Sequence, residues 1–409
     1  MTERAAAAGG RSIIAYGALV VAAGLNVRDP ITSVSATLDA VGAHYGLTAV
    51  GTAVLSSLPV LLLAAGAPLG PALDRRLGTE RSVLLLAVLL TVSVALRPIA
   101  PAALFLGTVV AGAAIAGLSV LMPQVIRERL GGRTGLWSGV FSTTFGLSAA
   151  AGAGLTVPLV ALLGSLPLAL AAWAVPALVL VVLAAATAHR AAQRPTRTPA
   201  RPRPPLRATP LLWQVTAFFG GQALVFFAVV AWLPTLYADR GATAEHAAGL
   251  LAWLSIAGLP ASLAVSLAAG RMPRQHLLVV GVGVGTAIGL AGVAWAPIDL
   301  APLFVAILGF AQGAAFGLGV SLIVLKAQGG VAAFSAFAQG FGYAIAALGP
   351  LALGILHSAD VPWAWSIALL IAVVAAQTVG GWVAGRHVVA PAHADTTGTD
   401  RPVAVEGRP

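Results

Sequence analysis

Residues 24–34, GLNVRDPITSV, interrupt an otherwise apolar stretch. They contain three side chains able to do chemistry, Asn26, Arg28 and Asp29, followed by Pro30. An arginine or aspartate deep in a bilayer costs at least about 2.5–3.5 kcal/mol, so such side chains normally face a cavity or a partner. The guanidinium of Arg28 offers planar donors of fixed charge that suit a carboxylate or a similar anion. We therefore expect Arg28 to anchor an anion; the competing interpretation is that it serves structure alone.

The neighbours of Arg28 divide between two helix faces. Consecutive residues differ by about 100° around a helix, so Arg28 and Thr32 share one stripe while Asn26 and Asp29 form a neighbouring one. Pro30 has no N–H for the carbonyl of Asn26 and disfavours helical geometry at Asp29, which predicts a bend or a loosened turn. Three roles remain open for Asp29, which are proton titration that couples transport, pairing with Arg28, and turn formation.

Further polar and aromatic residues fall near the middle of other apolar stretches. An amide beside an aromatic wall suits a small polar or aromatic solute, whereas the alternative for each glutamine is hydrogen bonding between helices. Together with Arg28, Asn26 and Thr32, the candidate substrate-binding residues are Gln222, Phe226, Gln312, Gln339 and Tyr343. Gln339 and Tyr343 lie one helical turn apart, so they share a face.

The elements that must position these residues are membrane-spanning helices. The chain has 409 residues, of which 59% are hydrophobic and 9% charged, whereas soluble domains carry roughly 25% charged residues. Apolar runs long enough for the ~20 residues of a spanning helix recur along the chain. We predict an all-α integral membrane protein with twelve spans, near residues 13–36, 47–70, 82–97, 101–125, 134–163, 166–188, 211–236, 247–270, 276–296, 300–324, 331–357 and 362–386.

The basic residues are sorted by side of the membrane. With the N-terminus in the cytoplasm, 20 of the 23 Lys and Arg residues lie on the cytoplasmic face. Arg97 and Arg240 lie opposite, and Arg28 lies within the membrane. Such asymmetry predicts a multi-pass protein of the cytoplasmic (inner) cell membrane with both termini in the cytoplasm. It also explains the net charge of +10 without nucleic-acid binding, which we do not expect.

The chain divides into two weakly similar halves. We expect a cytoplasmic N-terminus at 1–12, a six-helix bundle at 13–188, a cytoplasmic Arg/Pro linker at 189–210, a second six-helix bundle at 211–386 and a disordered cytoplasmic tail at 387–409. Within the linker, five prolines from Pro195 to Pro205 are interleaved with arginines, which is typical of an extended segment. Two related bundles joined by a basic linker are the pattern of a secondary transporter.

Four segments resemble known transporters. GLNVRDPITSV, VLMPQVIRERL, VVAWLPTLYADRGATAEHAAGLLAWL and FAQGFGYAIAALGPLALGILH are similar to segments of the cyanate and 2-nitroimidazole permease family within the major facilitator superfamily. The resemblance covers residues 13 to 386 and implies a cavity lined by the first, fourth, seventh and tenth helices. Asp29 stands where the family has a proline, and Ser119 where many members carry an asparagine; these departures bear on the substrate more than on the fold.

The loop after the second span resembles the gating loop of the superfamily. GPALDRRLG supplies Asp74 and Arg75 with one residue more than the usual motif, and Arg81 follows. The resemblance implies that charge pairs here hold the outward-facing state, with Arg127 and Arg133 as counterparts. The alternative is that these arginines only set topology.

The leading functional prediction is a secondary transporter of a small polar solute, anionic or heteroaromatic, that works by alternating access. Proton coupling is one of the three roles left open for Asp29. The alternative within the same class is an exporter of drug-like or nitroaromatic compounds; a non-transporting receptor is more remote. No HExxH pattern or Walker loop is present in the sequence, so we expect no enzyme, cofactor or metal. The expected partners are the solute and the lipid bilayer, and the expected state is a monomer.

Overall fold

The computed structural model describes residues 2–192, 206, 208–327 and 330–387, without the side chains of residues 2–12 and of a few later positions. These residues form helices joined by short turns, and no β-strand occurs among them. Most of the predicted linker and the predicted disordered tail lie outside the described residues.

The N-terminal bundle contains ten α-helices. Some consecutive helices together make one passage across the membrane, which we call a crossing. They are α1 Thr2–Leu25, α2 Asp29–Ser35, α3 Leu38–Tyr45, α4 Ala49–Gly66, α5 Leu69–Leu77, α6 Thr79–Leu96, α7 Pro101–Arg129, α8 Thr134–Leu163, α9 Leu166–Ala172 and α10 Ala174–Ala192. The C-terminal bundle contains α11 Pro210–Asp239, α12 Ala244–Arg271, α13 His276–Trp295, α14 Ala301–Lys326, α15 Val331–Ala346, α16 Leu348–Ser358 and α17 Trp363–Arg386.

The predicted spans coincide with these helices. Ten segments of the described chain are long and apolar enough to cross a membrane, and they match the last ten predicted spans. The first two predicted spans correspond to α1 with α2 and to α4 with α5. The predicted all-α membrane fold is therefore confirmed.

Local sequence signals set several helix ends. Four helices begin after a Ser or Thr whose hydroxyl accepts a hydrogen bond from a backbone N–H three residues on, namely Thr48, Ser165, Thr209 and Thr243. This satisfies an N–H that has no partner within the helix. Helix α8 ends before Gly164, which adopts a left-handed conformation with φ 63°. Glycine takes this conformation without steric cost.

The first crossing is broken where the sequence predicts a loosened turn. Helix α1 ends at Leu25 and α2 begins at Asp29, so residues 26–28 are not helical. Pro30 lies in the first turn of α2, where its missing N–H costs nothing. The break frees backbone groups in mid-membrane, which requires partners or a cavity nearby.

The two bundles meet over one half of their length. We call the side on which α10 ends and α11 begins the linker side, and the opposite one the far side. Near the linker side, a Cβ atom on Gly135 of α8 would lie 2.7 Å from Cα of Gly270 in α12. Further in, the hydroxyls of Ser142 and Ser262 are 2.8 Å apart. Small residues thus let the backbones approach and close the linker side.

Candidate functional site

A cavity of about 110 Å³ lies between the bundles, midway along the crossings. Helices α8, α11, α12, α14 and α15 form its walls, and the break in the first crossing adds one residue, Arg28. Its polar lining consists of Arg28, Ser142, Gln222, Ser255, Ser262, Gln312 and Tyr343, and its aromatic lining includes Phe145, Phe226, Phe227 and Phe316. Arg28 is the single charged residue among those described as lining the cavity.

Arg28 reaches the cavity because residues 26–28 leave the helix. Its guanidinium carbon lies 4.8 Å from the ring centre of Phe145 in one bundle and 5.1 Å from that of Phe227 in the other. Both distances suit cation–π contact. The guanidinium also interacts with the phenol of Tyr343, while its Nε is buried without a hydrogen-bond partner in the described residues. The charge therefore retains donors for a further group.

Two buried amides accompany Arg28. The side chains of Gln222 and Gln312 are each 2% exposed. Gln312 is notable because neither its amide nitrogen nor its amide oxygen has a hydrogen-bond partner in the described residues. A buried amide without partners costs free energy comparable to lost hydrogen bonds. Its presence in a cavity wall suits a bound solute that supplies both a donor and an acceptor.

The structure brings five of the eight predicted substrate-binding residues to this cavity, namely Arg28, Gln222, Phe226, Gln312 and Tyr343. Their role in binding stays a prediction. These residues come from three separate predicted spans and from the break, and their common location follows from the fold.

The other three predicted binding residues lie outside the cavity lining. The amide nitrogen of Asn26 donates to the backbone oxygens of Ala22 at 2.8 Å and Pro176 at 3.1 Å. The hydroxyl of Thr32 donates to the backbone oxygen of Arg28 at 3.0 Å. These contacts tie the broken helix to its own backbone and to α10.

Gln339 connects two helices rather than lining the cavity. Its amide nitrogen donates to the backbone oxygen of Ser119 in α7 at 3.1 Å and to the hydroxyl of Ser335 at 2.7 Å. Gln339 therefore joins the two bundles on the linker side of the cavity. Of this pair, only Tyr343, one turn away, faces the cavity. The shared face predicted for this pair does not place both residues at the site.

The fourth helix, which the resemblance implies as a wall of the cavity, is absent from the described lining. Helix α7 contributes no residue to the cavity, whereas α8, α12 and α15 do. The reason is that α7 is covered on most sides, from Ala114 to Ile126 without an exposed residue, by packing within the bundle and against α15. Ser119, which stands where many family members have asparagine, is 2% exposed and lies away from the cavity.

Ser148 of α8 was not singled out by the sequence, yet it organises the break. Its hydroxyl oxygen accepts hydrogen bonds from the backbone N–H groups of Arg28 at 3.0 Å and Asp29 at 2.8 Å. The same hydroxyl donates to Oδ1 of Asp29 at 3.1 Å. Asp29 itself is fully buried and faces α8 rather than the cavity. A serine within a run of small residues gives no sequence signal for this role.

Arg97, which the charge pattern placed on the side opposite the cytoplasm, is buried against the protein rather than exposed. Arg97 is 1% exposed, and its two terminal nitrogens donate to the backbone oxygen of Pro30 at 2.5 Å and to the hydroxyl of Ser33 at 3.1 Å. The side chain can turn inward because Gly107 of α7 leaves room beside it. The chain thus buries a second arginine next to α2.

The residues of the predicted gate have different surroundings. Asp74 is 7% exposed and accepts hydrogen bonds from the hydroxyl of Thr79 at 2.7 Å and from the amide of Gln124. Arg75, Arg81 and Arg133 are exposed. These hydrogen bonds of Asp74 lie within the N-terminal bundle, so they stabilise the end of α5 against α6 and α7.

Arg127 is the predicted gate residue that reaches across the bundles. It donates to the backbone oxygens of Val324 at 3.3 Å and Ala327 at 2.7 Å, at the end of α14. An ion pair joins Arg129 to Glu80 within the N-terminal bundle. Contact across the linker side thus uses an arginine on carbonyl oxygens, and a gating role for these residues stays a prediction.

Comparisons with known proteins agree with this fold. Residues 14–350 match the model of the Major Facilitator Superfamily. The chain is 31% identical over 381 residues to the 2-nitroimidazole transporter of Escherichia coli (strain K12), covering 92% of this chain and 96% of the relative. It is 30% identical over 347 residues to the cyanate transport protein CynX of the same organism, covering 83% and 89%. The solved structure of the proton:xylose symporter XylE aligns with a TM-score of 0.71 at 14% identity, covering 92% and 95%.

Proposed function

The chain belongs to the Major Facilitator Superfamily of membrane transporters, and from this premise we propose that it is a secondary active transporter of a small polar solute, anionic or heteroaromatic. The observation that carries the proposal is the position of Arg28 in the central cavity. The described cavity wall offers this cation no carboxylate, so an anionic solute is the partner that completes the site.

The other wall residues favour a planar solute. Phe145 and Phe227 flank the guanidinium, and Phe226 adds a third ring to the cavity. Aromatic faces stack on flat π-systems, while Gln312 supplies one donor and one acceptor. Two relatives are named for the transport of 2-nitroimidazole, which has a flat ring, and of cyanate, a small anion.

The size of the cavity supports a small solute over the alternative of an exporter of drug-like compounds. Sites for drug-sized ligands measure about 300–1,000 Å³, whereas this cavity measures about 110 Å³. A drug-like compound would have to separate the rings of Phe145 and Phe316, whose centres are 4.8 Å apart. We therefore favour the small solute.

Alternating access is the mechanism that the arrangement of the bundles supports. Hydrogen bonds between the bundles, such as those of Gln339 and Arg127, occur from the cavity to the linker side. The cavity-lining Ser255, on the far-side half of α12, is exposed. We propose that the linker side is cytoplasmic, in agreement with the basic residues, and that the structure represents the outward-facing state.

Asp29 is the proposed coupling residue. It is a carboxylate buried at the break, one residue from the proposed anchor. Protonation of Asp29 would raise the net positive charge of the group formed by Arg28, Asp29 and Arg97, so that a proton and an anion would move together. Replacement by asparagine should leave solute exchange intact and abolish acceleration of uptake by an inward proton gradient. Equal acceleration in both proteins would exclude Asp29 as the coupling residue.

The test of the function is uptake by the purified protein in liposomes, with cyanate, small carboxylates and 2-nitroimidazole as solutes. Loss of a buried charge-assisted contact of about 1.5–3 kcal/mol corresponds to a roughly 10- to 150-fold increase in KM for an anion in Arg28→Ala. Arg28→Lys should retain part of the affinity because it keeps the charge. Arg274→Ala, at an exposed arginine, is the control. Unchanged anion uptake in a folded Arg28→Ala protein would refute the proposed site.

A further inference from the structure

Three charged side chains meet at the break in the first crossing, and they divide into two groups. Arg28 points toward the cavity, where it contacts Phe145 and Phe227 of both bundles. Asp29 points away from the cavity and bonds to Ser148. Although they are adjacent in sequence, Arg28 and Asp29 therefore do not face each other.

Arg97 lies next to Asp29, because it donates to the backbone oxygen of the adjacent Pro30. Each acts on the charge of the other, at a separation longer than a direct ion pair. Both are buried, at 0% and 1% exposure. Arg97 also holds the two groups that follow the break, the backbone oxygen of Pro30 and the hydroxyl of Ser33. Each member of the pair keeps one buried polar atom without a partner in the described residues, Oδ2 of Asp29 and Nε of Arg97.

This pairing has a consequence for the cavity. In a medium of low dielectric constant, a carboxylate next to Arg28 offsets much of the field of the guanidinium at the cavity. A second cation beside that carboxylate cancels this offset. Arg97 is the described charged residue in this position, and it is not part of the cavity lining.

We propose that Arg97 is a specificity-determining residue that neutralises Asp29, so that the charge of Arg28 remains available to an anionic solute. Arg97 is a positioning residue and does not contact the solute. The inference rests on the proposed function, because it explains how a site with a carboxylate one residue away still selects an anion.

A purely structural role for Arg97 makes a different prediction. If Arg97 serves only to hold the oxygen of Pro30, its removal loosens α2 whatever the state of Asp29. If Arg97 neutralises Asp29, removal of both charges restores the balance. The double variant Arg97→Gln/Asp29→Asn separates the two roles. It lacks the guanidinium that holds the oxygen of Pro30, yet it leaves no unbalanced charge at positions 29 and 97.

The experiment compares Arg97→Gln, Asp29→Asn and the double variant with the wild type in liposomes. We expect Arg97→Gln to raise KM for an anion by about tenfold, Asp29→Asn to leave KM equal or lower, and the double variant to return within about threefold of the wild type. KM for an uncharged solute that the wild type transports should change in none of them. A double variant as impaired as Arg97→Gln would overturn the proposal, and so would an unaffected Arg97→Gln.

A second readout does not depend on the solute. Each single variant leaves one buried charge uncompensated, so both should lower the midpoint of thermal unfolding in detergent, and the double variant should recover part of the loss. If the wild type transports no anion while this recovery is seen, the charge pair stands and the proposed function fails. Additive losses of stability would overturn the charge pair itself, even where Arg28 proves to be the anion anchor.

Discussion

The contact between Gly135 and Gly270 is close enough to test alternating access directly. In the present state a Cβ on Gly135 would lie 2.7 Å from Cα of Gly270 and 2.7 Å from the backbone oxygen of Ser266. Ordinary carbon contacts lie at about 3.5–4.0 Å, so Gly135→Ala must move α8 away from α12 by about 1 Å. The neighbours are backbone atoms, which cannot rotate out of the way. The substitution therefore disfavours closure of the linker side.

The expected shift follows from the cost of overpacking. Such insertions cost about 1–3 kcal/mol, which corresponds to a change of roughly 5- to 150-fold in the ratio of the two states. In the state open to the linker side the two helices separate and the clash disappears. Gly135→Ala should therefore populate that state and reduce access to the cavity from the far side.

The assay uses the absence of cysteine from the chain. With Ser255→Cys as the single thiol in the cavity wall, the rate of labelling by a membrane-impermeant maleimide from the far side reports the far-side-open state. Gly154→Ala on the same helix is the matched control, because a Cβ there meets no atom within 4 Å. Equal labelling rates in folded Gly135→Ala and Gly154→Ala proteins would refute the coupling between this contact and far-side access.

Two further predictions concern the same interface. The hydroxyls of Ser142 and Ser262 are 2.8 Å apart, so the double variant Ser142→Cys/Ser262→Cys should form a disulfide under mild oxidation. The disulfide should block transport, and reduction should restore it. Either single cysteine should leave transport unblocked, and a cross-linked protein that still transports would contradict the prediction. Arg127→Ala removes two hydrogen bonds that hold the linker side closed. If their loss destabilises the present state by about 1 kcal/mol, far-side labelling of Ser255→Cys should slow by up to roughly fivefold. Arg133→Ala, at an exposed position, should not slow labelling, and equal rates in both would assign Arg127 to topology alone.

The fold was predictable because each crossing carries its own signal. Long apolar runs separated by short polar turns identify a helix wherever they occur, since the bilayer accepts few other structures. The break at residues 26–28 was predictable for a similar reason, because Pro30 withdraws a donor from Asn26 whatever surrounds it. These properties depend on the local sequence only.

The positions of polar side chains were less predictable because they depend on which helices are neighbours. Gln312 and Gln339 are both glutamines in the middle of apolar spans, and only the packing decides that one lines the cavity while the other joins α15 to α7. Arg97 was placed on a side by counting charges, a rule that says nothing about burial. Ser148 has no signal, because its role comes entirely from the backbone of Asp29 beside it.

The broken first crossing also bears on the order of assembly. Polar groups of this crossing that have no partner within their own helix bond to residues that are synthesised much later. Arg97 follows Pro30 by 67 residues, Ser148 follows Asp29 by 119 and Pro176 follows Asn26 by 150. A helix that enters the bilayer with Arg28 and Asp29 unsatisfied is costly to hold there. The first crossing therefore reaches its native structure only after the sixth has been made, and the N-terminal bundle matures as a unit.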